Sequence, residues 1–179
     1  MCYKKRLISV FCSVVAAVSV MAQTADDNGP VLTPNRFGLV YEDAISENVA
    51  GRVNIQRVNY TVDGIDVVAN VYTPADYNPK KSYAAVVVAH PNGGSKDQVA
   101  GLYAQRLAEA GMITIAFDAR YQGESSGEPR RTDKPFLRMG DIMGAIDYIQ
   151  QFPGVDRERI GAFGICGGGG YTFATAQDL

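Results

Sequence analysis

The feature that most limits what this chain can fold into is a run of short apolar segments separated by helical periods. Tyr83-Ala84-Ala85-Val86-Val87-Val88-Ala89 carries no charge, and so short and continuous an apolar run suits a strand covered on both faces. Ser95-Lys96-Asp97-Gln98 matches a helix capping box. Val99, Leu102, Tyr103, Leu107 and Ala110 then recur at helical spacing up to Gly111, where a left-handed residue closes a helix. Residues 112–117 predict a second buried strand, and a Gly-rich polar loop runs on to Arg131. Asp133 and Pro135 open another helix, with Phe136, Met139, Met143, Ile146 and Ile149 on one face and a stop at Pro153-Gly154. Residues 159–163 predict a last strand, and a helix can begin at Gly167.

Two β-rich runs precede this series, residues 53–62 and 65–72, joined at Asp63-Gly64. That dipeptide accepts the positive φ angles of a tight hairpin, so the two form an antiparallel pair. A hairpin followed by strand–helix–strand–helix–strand defines an α/β fold, with a mostly parallel sheet and helices on both faces. The 179 residues allow one domain of ordinary size.

Charge and composition remove several function classes. A formal net charge of −2 gives no basis for a nucleic-acid partner. One histidine and three scattered cysteines exclude a Cys/His zinc site, so neither metal nor cofactor is expected.

Residues 1–22 read as a signal peptide. Lys4-Lys5-Arg6 precedes an uncharged apolar stretch, and Val20-Met21-Ala22 offers small side chains where a signal peptidase cuts. The rival is a membrane anchor, but the stretch falls short of the roughly 20 residues that span a bilayer. The expectation is therefore a periplasmic or secreted protein without a stable membrane anchor after cleavage. Cys2 and Cys12 would leave with the segment, making Cys166 the lone thiol. Residues 23–50 read as a loosely attached lead, broken at Asp26-Asp27-Asn28-Gly29-Pro30, and residues 51–179 as the folded domain.

Gly164-Ile165-Cys166-Gly167-Gly168 falls between the last strand and the final helix. This is the nucleophile-elbow pattern with cysteine at its centre. The turn is so sharp that side chains two residues either side of the nucleophile would collide, and the helix start aims free N–H groups at residue 166. Two plainer readings stand beside it. Gly167 to Gly170 could bind phosphate, although no G-x-G-x-x-G or Gly-Lys-Ser/Thr accompanies it; Cys166 could be a small buried residue. An acyl-transfer site also needs oxyanion donors. The backbone N–H of Gly167 is one candidate, and the loop His90-Pro91-Asn92-Gly93-Gly94 would supply the second. The same glycines could simply make a turn.

Three segments together resemble one family: Ala89 to Gly94; Ala116-Phe117-Asp118-Ala119-Arg120-Tyr121-Gln122-Gly123-Glu124-Ser125; and Arg159-Ile160-Gly161-Ala162-Phe163-Gly164-Ile165-Cys166-Gly167-Gly168-Gly169-Gly170. They look like α/β-hydrolases of the dienelactone-hydrolase-like group. More narrowly, they are similar to bacterial members with a cysteine elbow and to fungal polyketide transferases. The resemblance implies an acyl hydrolase or transferase acting on a small-molecule ester, lactone or thioester through a cysteine adduct. Cys166 would be the nucleophile, with Gly167 and Asn92 as backbone oxyanion donors and His90 and Gly93 beside the substrate. It also implies a sheet in which the third strand lies between the fourth and fifth, with three further strands beyond.

The chain departs from the family order of nucleophile, acid, histidine. Its one histidine, His90, precedes the elbow and falls in the oxyanion loop, where its ring would order the loop rather than act as base. The sequence therefore reads as the front portion of a longer hydrolase, its C-terminal strands, acid and base lying beyond Leu179. A catalytically silent exported binding protein and a non-functional fragment are the alternatives. Asp118 and Arg120 could pair with each other to pin their loop, or contact substrate, as could Glu124 and Arg130.

Overall fold

The computed structural model describes residues 34–177; the expected signal peptide and the first part of the lead lie outside them. Five strands and three helices follow in the order β1 (Asn54–Val62), β2 (Ile65–Thr73), β3 (Tyr83–Ala89), α1 (Val99–Glu109), β4 (Ile113–Phe117), α2 (Pro135–Ile149), β5 (Val155–Gly164) and α3 (Gly167–Gln177). The final strand starts earlier than its apolar run. Its first half carries Asp156, Arg157, Glu158 and Arg159 at the exposed end, where pairing of Tyr83 with Val155 extends the ladder past a register shift.

The sheet order is β1-β2-β4-β3-β5, with β3 between β4 and β5 as the resemblance implied. β1 and β2 pair antiparallel and close on Val62↔Ile65. Asp63 and Gly64 take φ of 48° and 77° there, the conformation of a two-residue hairpin turn. β2 also runs antiparallel to β4, whereas β3 runs parallel to both β4 and β5. Four of the five strands (β1, β4, β3 and β5) therefore point the same way and β2 alone runs against them, so the sheet is mostly parallel as expected. Among the described residues β5 has β3 as its one partner strand.

Alternation along the strands builds two cores. Val67, Ala69 and Val71 of β2, Ala85, Val87 and Ala89 of β3, and Ile113, Ile115 and Phe117 of β4 face Ile142, Ala145 and Ile149 of α2. On the other face, Tyr72, Val88 and Ala116 meet Ala100, Ala104 and Ala108 of α1. The alanine stripe of α1 lets the helix lie close on the sheet. β3 is therefore covered on both sides, as its continuous apolar run requires, while α2 and α3 pack against each other on the face opposite α1.

From residue 34 onward the lead is not loosely attached. Leu39 and Tyr41 are buried in the α1-side core, and the Val40 N–H donates to the Asp97 carbonyl at 2.9 Å. Gln105 of α1 clasps the segment: its Oε1 accepts from Tyr41 Oη at 3.0 Å and from the Ile45 N–H at 3.1 Å, and its Nε2 donates to the Asp43 carbonyl at 2.8 Å. The folded unit thus begins before residue 51. No periodicity announces this, since the segment docks as irregular chain on a polar side chain.

Candidate active site

β5 ends at Gly164 and α3 begins at Gly167, leaving Ile165 and Cys166 to reverse the chain. Cys166 sits at φ 54°, in the left-handed region that non-glycine residues rarely occupy and that marks strain at functional turns. The turn is braced on three sides. The Ile165 N–H donates to the Ala89 carbonyl at 3.1 Å, the Gly168 N–H to Ile165 O at 2.9 Å, and the Gly169 N–H to Cys166 O at 2.9 Å. A Cβ on Gly164 would run into the Gly168 carbonyl, and one on Gly168 would stand 2.6 Å from the carbonyl oxygens of Ala89 and His90. Glycine is therefore obligatory two residues before and two after Cys166. The Cys166 side chain itself is exposed.

The loop after β3 comes directly against this turn. A Cβ on Gly167 would overlap Oδ1 of Asn92, so the Asn92 carboxamide lies against the first residue of α3. Its Nδ2 donates to Asp133 Oδ2 at 3.0 Å and to Tyr171 Oη at 3.1 Å. Gly93 is exposed at φ 70°, and the Gly94 N–H returns to the Pro91 carbonyl at 2.9 Å. Among the described residues, the N–H groups of Asn92 and Gly167 take part in none of these bonds.

His90 lies beneath the loop, fully buried. Its Nε2 accepts the Ala119 N–H at 3.1 Å, which leaves Nδ1 as the donor to the Pro91 carbonyl at 2.7 Å. Both nitrogens are spent on backbone, so the ring ties its own loop to Ala119 in the loop after β4 and faces no open surface. Burial, reinforced by the Arg138 guanidinium, pushes its pKa down to about 4, and the neutral ring is the state this geometry holds.

The loop after β4 is pinned by two buried ion clusters, and Asp118 and Arg120 belong to different ones. Lys96 is completely buried, its Nζ donating to Asp97 at 2.8 Å, Asp118 at 3.0 Å and Glu124 at 2.5 Å. Asp118 also accepts the N–H groups of Lys96 and Glu124, and Arg57 reaches Glu124 from β1. Oxygens of Asp97, Asp118 and Glu124 lie within 4.8 Å of one another, but the Lys96 ammonium already bonds all three. Arg120 instead donates to Asp141 of α2 at 2.5 Å, to Asp63 at 2.6 Å and to the Leu137 carbonyl at 3.0 Å. Burial outweighs the Arg120 charge and lifts the Asp141 carboxyl to about 6. Arg130 donates to the carbonyls of Ser125 and Gly123 at 2.5 and 2.7 Å.

Lys96, Arg138 and Asp141 were not legible as site neighbours. Lys96 stands inside what reads as an exposed capping box; α1 in fact starts after Gln98, which closes a turn by accepting the Ser95 N–H at 3.2 Å. The neighbouring acids Asp97, Asp118 and Glu124 were the available signal, scattered along the chain. Asp133, expected to open α2, leaves the cap to Lys134 and points to Asn92. An open cleft of about 670 Å³, lined by Gly93, Gly94, Tyr121, Gln122, Arg130 and Asp133, lies beside the Asn92 loop. A separate groove of about 450 Å³ between β1 and α2, with Tyr60, Asp63 and Tyr148 on its walls, shares no residue with the elbow or the Asn92 loop.

A strand–turn–helix with a strained cysteine at its tip, set beside the loop of the neighbouring strand, is the arrangement of an α/β-hydrolase fold. Residues 69–179 match the dienelactone hydrolase family, and the chain belongs to that family. It is 51% identical over 115 residues to the uncharacterized protein YcjY of Escherichia coli, covering 64% of this chain and 38% of YcjY. The crystal structure of hypothetical protein PA2218 from Pseudomonas aeruginosa superposes with a TM-score of 0.67 at 38% identity, covering 72% of this chain and 40% of that one. A fungal relative, thiohydrolase aneE of Aspergillus aculeatus, is 31% identical over 116 residues, covering 65% of this chain and 35% of its own. The chain thus spans well under half the length of these relatives.

Proposed function

We propose that this chain carries the nucleophile and oxyanion portion of an acyl hydrolase, with Cys166 as the attacking group. The observation that carries the reading is Cys166 at φ 54°, exposed at the tip of a turn whose flanking glycines admit no side chain. Strain of this kind is kept where a side chain must be presented in one direction. The Sγ thiolate attacks the acyl carbon of an ester, lactone or thioester, forming a C–S bond and a tetrahedral oxyanion. The backbone N–H groups of Gly167 and Asn92, two residues brought together where the Asn92 side chain lies against Gly167, receive that charge. Collapse breaks the bond to the leaving alcohol or thiol, which takes up a proton. Water then attacks the acyl-cysteine, releasing the carboxylic acid and restoring the thiol.

His90 is not the base in this scheme, since its ring nitrogens are bonded to backbone and its basicity is suppressed by burial. A thioester substrate is favoured among the acyl classes by the likeness to a protein named a thiohydrolase. Cleavage of an activated thioester by the parent protein and by Cys166→Ala tests the proposal. Activity in the parent and background alone in the variant is the expected result. Equal rates in the two would remove Cys166 from the chemistry.

A further inference from the structure

We propose that Arg138 is a positioning residue that sets the Asn92 N–H of the oxyanion site, acting through the His90 carbonyl and the Asp133–Tyr171 pair. The proposal rests on Cys166 being the nucleophile.

Arg138 lies on α2 with its side chain 1% exposed. Its Nη2 donates to the His90 carbonyl at 2.7 Å, its Nη1 lies 3.4 Å from Asp133 Oδ1, and its guanidinium sits over the Tyr171 ring, 5.2 Å from the centroid. Asp133 and Tyr171 are the two groups that hold the Asn92 carboxamide. One guanidinium therefore touches three anchors of the loop: the carbonyl two residues before Asn92, and both partners of the Asn92 side chain. It also links α2 to α3, the helix that begins at Gly167.

Packing alone does not account for a charge in this place. Burial lowers the Arg138 pKa, and its Nε is buried with no hydrogen-bond partner. A buried arginine with an unmatched donor costs more than an apolar side chain of similar size would. What the arginine supplies, and a methionine cannot, is directional donation to the His90 carbonyl. Because peptide groups are planar, fixing that carbonyl limits how the Pro91 and Asn92 peptides turn. The Pro91 carbonyl, in the same peptide as the Asn92 N–H, is held in turn by His90 Nδ1 and the Gly94 N–H, and through this chain of restraints Arg138 directs the Asn92 N–H toward Cys166.

The test compares two reactions of Cys166 that differ in their need for an oxyanion site. Acylation by an activated thioester passes through a tetrahedral oxyanion; alkylation by iodoacetamide does not. Both single-turnover rates are measured on the parent and on Arg138→Met, Arg138→Lys and Tyr171→Phe. The expected result is an acylation-to-alkylation ratio reduced by about tenfold to a hundredfold in Arg138→Met, given that losing one oxyanion donor outright costs about 10²–10³-fold. Arg138→Lys regains part of the loss, and Tyr171→Phe shows a fall of roughly threefold, the scale of one weak neutral hydrogen bond. An unchanged ratio, or both rates falling together, overturns the proposal. If Arg138→Met does not fold, Tyr171→Phe decides alone, and no change in its ratio is the overturning result. A parent that alkylates but never acylates defeats the nucleophile reading itself, and this proposal with it.

Discussion

At the residue scale, His90 and Asp141 give opposite pH signatures. His90 is held near 4 against an ordinary 6.5, so the unfolded chain takes up the proton first. The stability it contributes is complete above about pH 6.5 and is lost as pH falls toward 4, amounting to about 3 kcal/mol. Asp141 stands at about 6 against 3.8, so the folded state binds its proton more readily and gains stability as pH falls through 6. Urea unfolding at pH 7.5 and 4.5 separates the two. His90→Gln should flatten the acid loss seen in the parent, and Asp141→Asn should steepen it. The histidine's place in the loop was legible from sequence, and so was its ordering role. Its burial was not, because nothing in His90-Pro91-Asn92 reveals that the Ala119 N–H arrives from the loop after β4, 29 residues away.

At the scale of elements, the Lys96 cluster ties the start of α1 to the loop after β4. Its three carboxylates lose their common counter-charge in Lys96→Met, which should cost about 3–5 kcal/mol, the usual result of breaking a buried ion pair from one side. Adding Asp118→Asn should recover part of that loss in guanidinium unfolding; a fully additive double variant would mean the two residues act independently. Strand and helix bounds were readable from apolar spacing in β3, α1, β4 and α2, to within a residue or two. The helix faces were not: α1 buries Ala100, Ala104 and Ala108 and leaves Tyr103 exposed, and α2 buries Ile142, Ala145 and Ile149 and leaves Phe136 exposed, because the small side chains let the helices lie close on the sheet. Spacing also failed for the charged half of β5, which is a strand through pairing with β3 and not through composition. The loops failed in another way. Asp118 and Arg120 are two residues apart, yet point to Lys96 on one side and Asp141 on the other, a choice that only tertiary contacts make.

At the scale of the molecule, protection is concentrated where the two cores share the sheet. β3 and β4 are buried on both faces, while β5 has a partner on one side among the described residues and α3 buries only Gly168, Thr172 and Thr175. Native-state hydrogen exchange should therefore be slowest in β3 and β4 and fastest in β5 and α3, with the docked segment at Leu39–Tyr41 exchanging alongside α1. The turn at Cys166 accordingly joins two of the least-protected elements, β5 and α3, and the Ile165 N–H bond to the Ala89 carbonyl ties it to the well-protected β3. The proposed function requires that Cys166 at this turn form a covalent acyl intermediate. Rapid quenching after mixing with an activated thioester, followed by peptide-mapped mass spectrometry, reads that intermediate directly. A single acyl group on the peptide containing Cys166, appearing with the released thiol, is the predicted result. Thiol release with no acyl group on Cys166, or none released at all, would contradict it.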